Sequence, residues 1–190
     1  LQRIVDCEPV RLPRFDFRQN DRLFREEDFI RKDGELVILE GVHSLNPSVI
    51  TIPDNECSKI YVSVRTRVSD GNIVLHPSYI RLMRRLIRDS QHRGRSFEHT
   101  ISMFGSVEDG AEKYIMPFKY RATHNIDTFI SYEINAYKMF LSDGLRELKE
   151  NETAKTLLRI LDRAEPVPEQ TIPKSSLIRE FIGGSSFDYK

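Results

Sequence analysis

Residues 36–43 read Leu-Val-Ile-Leu-Glu-Gly-Val-His, and no other stretch restricts the fold as tightly. Four apolar residues in a row, with Gly34 and Glu35 before them and Glu40 and Gly41 after, fit a short strand buried on both faces. Glu40 then stands at the carboxyl end of that strand, where open parallel sheets bind their ligands. A carboxylate there can hold a magnesium ion or one of its waters, or orient an attacking group. The plainer alternative is a solvated Glu40 in an ordinary loop.

The chain has 190 residues and a formal net charge of zero. That length fits one domain able to bury a core without covalent staples. Balanced charge gives no global attraction to nucleic acid or membrane. Cys7 and Cys57 lack metal-ligand or redox spacing and read as free thiols in a reducing, cytoplasmic compartment. The apolar runs are too short to span a bilayer, and no signal peptide is visible around Arg3 and Asp6. The first residue is Leu1 rather than methionine, as in an excised piece of a longer protein. The histidines at 43, 76, 92, 99 and 124 have no metal-ligand spacing.

In chain order, Arg14 to Phe24 reads as a hairpin or an extended loop, since Phe15-Asp16-Phe17-Arg18 alternates before the turn residues Gln19-Asn20-Asp21. Ile60 to Val64 is a strand by its β-branched and aromatic content. Ser69-Asp70-Gly71-Asn72 is a turn. A helix starts at Pro77 or Ser78, runs to about Gln91 and is interrupted by Gly94. Further helical stretches cover Phe97–Met103, Val107–Arg121 with a step at Pro117, Glu133–Leu148 and Thr153–Ala164. Asp127 to Ser131 reads as a third strand. Gly183-Gly184 stops a last short turn. Tyr114, Ile115, Phe118 and Tyr132 read as core.

The helix after Pro77 carries an unusual face. At about 100° per residue, Arg81, Arg84, Arg85 and Arg88 share one side, and Ile80, Met83, Leu86 and Ile87 share the other. Only Asp89 lies close in sequence to offset these charges, and Arg93 and Arg95 flank Gly94. A solvated face paired with acids from elsewhere is one reading. The other is an anion site, because the planar guanidinium fork matches phosphate oxygens. RNA binding ranks lower, since no aromatic platform interleaves with the arginines.

Taken together, these stretches resemble the uridine kinase family of P-loop kinases, which includes phosphoribulokinase. The residues that carry the likeness are Phe15-Asp16-Phe17, Leu39-Glu40-Gly41-Val42-His43, the run from Arg81 to Asp89, and Arg93-Gly94-Arg95-Ser96. It continues in Glu112 to Pro117 and Asp127 to Ser131, covering roughly Pro9 to Tyr137. The tail from Ile172 to Ser185 looks like the end of long bacterial uridine-kinase-like proteins that carry a domain related to threonyl-tRNA synthetase ahead of the kinase. The resemblance implies an α/β fold. That fold is part of a P-loop kinase-like parallel sheet flanked by helices, with an arginine-rich lid helix and a helical C-terminal extension. An incomplete kinase-like domain would occupy residues 1–138, its lid about 77–122, and the extension residues 139–190.

The activity so implied is a phosphotransferase moving the ATP γ-phosphate to a nucleoside 5′-hydroxyl, with ATP and Mg2+ as cofactors and ATP and a nucleoside as partners. Arg88 and Arg93 match lid arginines that approach the ATP phosphates. Arg85 and Arg95 match arginines near the nucleoside or the transferred phosphate. Phe15 and Asp16 fall on the substrate side, and Glu40 matches the acid that acts indirectly on magnesium. Three departures bear on the substrate: Phe15 replaces a tyrosine, Asn20 a base-contacting histidine, and Met103 a glutamine. Nothing in the sequence reads Gly-x-x-x-x-Gly-Lys-Ser/Thr, so this chain by itself is expected to be inactive. A kinase for a sugar phosphate and a non-catalytic nucleotide-binding module are the alternatives. In the family a central strand lies between those at Leu36–Glu40 and Ile60–Val64, and it is not in this chain. The flanking edges are expected to be relieved by closing together, by a filling segment such as Pro13–Phe17, or by homo-oligomer formation rather than left open.

Overall fold

The computed structural model describes residues 1–16 and 21–188, apart from the side chains of Phe15, Asp16 and Asp70. The expectation placed on Asn20 lies outside the described residues. The chain divides into two compact units, Leu1–Tyr61 with Glu112–His124 and Val62–Ala111 with Asn125–Lys190.

The first unit opens with a single helical turn, α1 (Gln2–Val5). Strands β1 (Val10–Asp16) and β2 (Asp21–Phe29) follow as an antiparallel pair. The hairpin reading holds, and its strands extend beyond both expected ends. The register shifts between Arg11, opposite Asp28, and Pro13, opposite Phe24. Proline has no N–H to give the ladder, so irregular pairing beside Pro13 has a physical cause. Arg31 ties the unit together locally: Nε and Nη2 donate to the carbonyls of Ile4 and Val5 at 3.0 and 2.6 Å. The free carbonyls at the end of a helix are natural partners for such a cation.

Residues 36–40 correct the sequence reading. They form no strand, and Leu36 and Ile38 are 88% and 84% exposed. Each forgoes about 2 kcal/mol of burial that a covered strand would gain. Among the described residues no backbone group of 36–40 makes a hydrogen bond. An apolar run becomes a strand only when a neighbour completes its ladder, and Pro13–Asp16 is committed to β2 instead. The buried apolar residues of this unit are Leu45 and Ile50 among those described. Tyr114, read as core, is half exposed with Lys113 Nζ 5.1 Å from its ring centroid. Strand β3 (Ile60–Ser63) starts in this unit and ends in the next.

The second unit continues with β4 (Val68–Asp70) and β5 (Ile73–Leu75), an antiparallel hairpin turned by Gly71 at φ 57°. Helix α2 (Pro77–Arg93) has Pro77 in its first turn, His76 as N-cap accepting from the Ser78 N–H, and Gly94 at φ 61° as C-cap. These are the start and stop signals that the sequence carries. Helices α3 (Phe97–Ser102) and α4 (Phe104–Tyr114) follow; α4 leaves this unit at Glu112, and the 3-10 turn at Met116–Arg121, where Pro117 interrupts the pattern, belongs to the first unit. Strand β6 spans His124–Asp127, earlier than the expected 127–131, because Asp127 turns inward on the backbone: its carboxylate accepts from the Arg65 and Phe129 N–H groups. β3 pairs with β6. The Lys59 carbonyl accepts from His124 N–H and the Ser63 carbonyl from Thr128 N–H, so the two strands advance in the same direction and the pair is parallel. The described sheets are therefore three two-stranded pieces rather than one continuous parallel sheet.

Helices α5 (Glu133–Glu147), α6 (Glu152–Arg163) and α7 (Arg179–Ile182) complete the unit. α2 packs on α3, α5 and α7, and α5 on α6. Ile80, Met83, Leu86 and Ile87 are buried as their spacing predicts, and Leu82 joins them. Tyr137, Leu141, Leu145, Leu157, Leu161 and Ile178 supply the other side of the same core. At about 1.5–3 kcal/mol per fully buried side chain, this cluster dominates the stability of the chain. The tail is pinned by buried Arg179, which donates to the carbonyls of Glu169, Ile172 and Gly183 at 2.7, 2.8 and 3.3 Å.

One ion pair crosses the core. Arg84 Nε and Nη2 donate to the two carboxylate oxygens of Glu133 at 2.8 and 2.9 Å, and Nη2 also donates to the Thr128 carbonyl at 2.7 Å. Glu133 is fully buried and its carboxylate also accepts the Ile130 N–H just before α5. Removing one partner strands a buried charge. Glu133→Ala is expected to cost about 3–5 kcal/mol in urea unfolding, while the double change Arg84→Met with Glu133→Leu costs far less. Equal losses for the single and the double change would contradict this account of the pair.

Candidate functional site

The last turns of α2 and the chain just beyond Gly94 converge on one carboxylate. Asp89 is 1% exposed. Its Oδ1 accepts from Arg93 Nη1 at 2.9 Å, and its Oδ2 lies 3.5 Å from Arg85 Nε and 3.7 Å from Arg95 Nη1. The Thr100 hydroxyl on α3 stands 3.4 Å from the same Oδ2. Arg85, Asp89 and Arg93 are spaced i, i+4 along α2, so helix geometry alone brings them together. Arg95 joins through the left-handed turn at Gly94, which carries its N–H back to the Asp89 carbonyl at 3.0 Å.

Arg88 differs from its neighbours. It is partly buried, makes no ion pair among the described residues, and its Nε is enclosed without a hydrogen-bond partner. Burial first, then the neighbouring Arg93 charge, press its pKa below the usual guanidinium value, with Asp89 and Glu180 opposing. An arginine stays protonated all the same, and Arg88 makes no direct ion pair among the described residues, with Asp89 and Glu180 acting on its charge only at longer range. It lines a cleft of about 170 Å³ together with Arg81, Leu82, Arg85, Phe104, Val107 and Glu108. Arg81 is answered by Glu108 at 2.7 Å. Five guanidiniums, of Arg81, Arg85, Arg88, Arg93 and Arg95, are thus set against three carboxylates, of Asp89, Glu108 and Glu180, an excess of two positive charges. The cleft is concave, and the spare donors of Arg85 and Arg88 on its wall suit an anion with several oxygens.

The arginine face drawn from the sequence is divided in two. Arg84 leaves it for the core and Glu133, and Arg81 pairs with Glu108, so for these two the reading as arginines paired with distant acids holds. Arg85, Arg93 and Arg95 meet at Asp89, and Arg85 and Arg88 line the cleft. Phe15, Asp16 and Glu40 belong to the other unit. Phe15 and Asp16 lie on β1, and Glu40 is exposed in the irregular segment after residue 35. A single exposed carboxylate does not fix an octahedral magnesium ion, and among the described residues no group of three or more His, Cys, Asp or Glu is placed to hold a metal. Sequence reasoning missed Glu108, Glu133 and Thr100 as partners, and Phe104 and Val107 as cleft walls. Their contacts span 11 to 49 residues or depend on how α4 packs, and no local pattern signals them.

Comparison with known proteins follows the same lines. The sequence model of the "Phosphoribulokinase / Uridine kinase family" matches residues 1–135. A uridine kinase of Staphylococcus epidermidis is 32% identical over 123 residues, covering 64% of this chain and 52% of that protein. A uridine kinase of Lactobacillus helveticus is 31% identical over 121 residues, covering 63% and 49%. One from Clostridium botulinum is 31% identical over 108 residues, covering 56% and 44%. The chain spans about half the length of the curated relatives it matches. No solved structure matches it significantly. No described helix is long and apolar enough to cross a membrane. With the match running from the first residue through the start of α5, and including the whole arginine cluster, the chain belongs to the phosphoribulokinase/uridine kinase family.

Proposed function

We propose that this chain is the arginine-bearing part of an ATP-dependent kinase that phosphorylates a nucleoside 5′-hydroxyl, with ATP as donor. The observation that carries this reading is the excess of guanidinium around Asp89, beside a cleft into whose lining Arg88 brings an Nε without a hydrogen-bond partner, in a chain of this family. In phosphoryl transfer, charge spreads over the oxygens of the migrating group, and catalysis consists mainly of placing cations against them. In this reading Arg88 and Arg93 neutralise the ATP phosphates. Arg85 and Arg95 stand nearer the nucleoside or the transferred phosphate, and Phe15 and Asp16 serve the nucleoside side. Residues 77–122 act as the lid, with α2 as its fixed base and the turn at Gly94 as its flexible end. Uridine is the substrate named for the relatives, and the residues at 15, 20 and 103 make the nucleoside preference the open choice within this class.

Two expectations follow. The 190-residue chain alone converts no uridine or cytidine to monophosphate, because it has no phosphate loop to cradle the β- and γ-phosphates. Steady ATP-dependent turnover by the pure chain would contradict this. The anion site itself is read by calorimetry with ATP. Arg88→Ala with Arg93→Ala should weaken binding on the order of tenfold or more, since each removes charge-assisted hydrogen bonds, and wild-type affinity should fall as salt rises. Unaltered affinity in the double variant would remove the assignment.

A further inference from the structure

We infer that Asp89 is a positioning residue: it gathers Arg85, Arg93 and Arg95 into a preformed phosphate-binding crown in advance of any ligand. This rests on the phosphate-site reading above. The simplest view of a buried acid among arginines is electrostatic, a counter-ion that lowers the positive potential and so opposes anion binding. The geometry points the other way. Both ends of Asp89 act on the same turn. Its carbonyl takes the Arg95 N–H at 3.0 Å, and its carboxylate meets the side chains of Arg93 and Arg95 at 2.9 and 3.7 Å and that of Arg85 at 3.5 Å. Thr100 fixes the carboxylate from α3 at 3.4 Å. Arg93 and Arg95 are half exposed and flank a glycine, so without this anchor they would sample many rotamers.

One carboxylate cannot satisfy three guanidiniums. Each has five N–H donors; Arg93 gives one to Asp89 as a hydrogen bond, and Arg85 and Arg95 are held at ion-pair distance, 3.5 and 3.7 Å, leaving most of their donors open. The carboxylate therefore holds the arginines by one edge. A ligand that meets arginines already in place avoids the ordering cost of about 0.5–1.5 kcal/mol for each long side chain.

The two views differ in sign, and Asp89→Asn separates them. The amide keeps the shape and an acceptor for Thr100, but removes the charge that attracts the guanidiniums. Tripolyphosphate is titrated calorimetrically into the 190-residue chain and the variant. Positioning predicts binding weaker by about fivefold or more, despite one more net positive charge, with Asp89→Glu recovering most of the loss. Equal or tighter binding by Asp89→Asn would overturn the proposal. A second measurement needs no ligand. In nitrogen-15 NMR of the wild type, the Nε–Hε signal of Arg85 and the Nη–Hη signals of Arg93 and Arg95 should exchange slowly and persist at salt of about 0.5 M, where exposed pairs such as that of Arg146 are screened. Loss of all three together with Arg146 would overturn the role of Asp89, even if Asp89→Asn fails to fold. A wild type that shows these signals but binds no tripolyphosphate would instead overturn the phosphate site.

Discussion

The buried pair between Arg84 and Glu133 sets the rotation of α2, and the rest of the candidate site depends on that rotation. With about 100° between successive residues, Arg88 stands some 40° from Arg84 around the helix, Arg81 some 60° and Arg85 about 100°. Once Arg84 is drawn into the core against α5, the other three are carried to its margin. There they line the cleft instead of dispersing into solvent. The pair is expensive to desolvate, so it is better understood as fixing a geometry than as adding net stability. Phe181 on α7 supports it, with the Arg84 guanidinium carbon 5.3 Å from the ring centroid.

This makes the C-terminal helices part of the site's construction. The family match ends at residue 135, within the first turn of α5. Beyond that point Tyr137, Leu141, Leu145, Leu157, Leu161, Ile178 and Phe181 form the wall against which α2 is held. Arg179 in turn fastens the tail that carries α7. The arginine helix is thus the centre of a core rather than an isolated arm. The first unit contrasts with this. Its described apolar residues are mostly exposed, and the run at 36–40 has no partner for its backbone.

Much of the second unit was legible in the sequence, because its signals are local. Pro77, the apolar spacing of α2 and Gly94 announce one helix with both ends. The same holds for α5, α6 and the stop at Gly183-Gly184. The i, i+4 spacing of Arg85, Asp89 and Arg93 also announces their meeting. What failed was non-local. Whether Leu36–Leu39 becomes a strand depends on a neighbour, and periodicity carries no information about one. The role of Arg84 was hidden because Glu133 lies 49 residues away. On a helical wheel Arg84 is indistinguishable from Arg88, yet one ends in the core and the other in the cleft.

The central claim is that rotation of α2 and the Asp89 anchor leave Arg85, Arg88, Arg93 and Arg95 facing one anion. The most direct measurement is a crystal of the chain soaked in tungstate, a phosphate-shaped oxyanion located by anomalous scattering. The account predicts a tungstate within hydrogen-bond distance of Arg85 and Arg88, in the cleft bounded by Phe104 and Val107. Tungstate bound elsewhere with this cleft empty, or Arg88 found paired with a carboxylate, would contradict it.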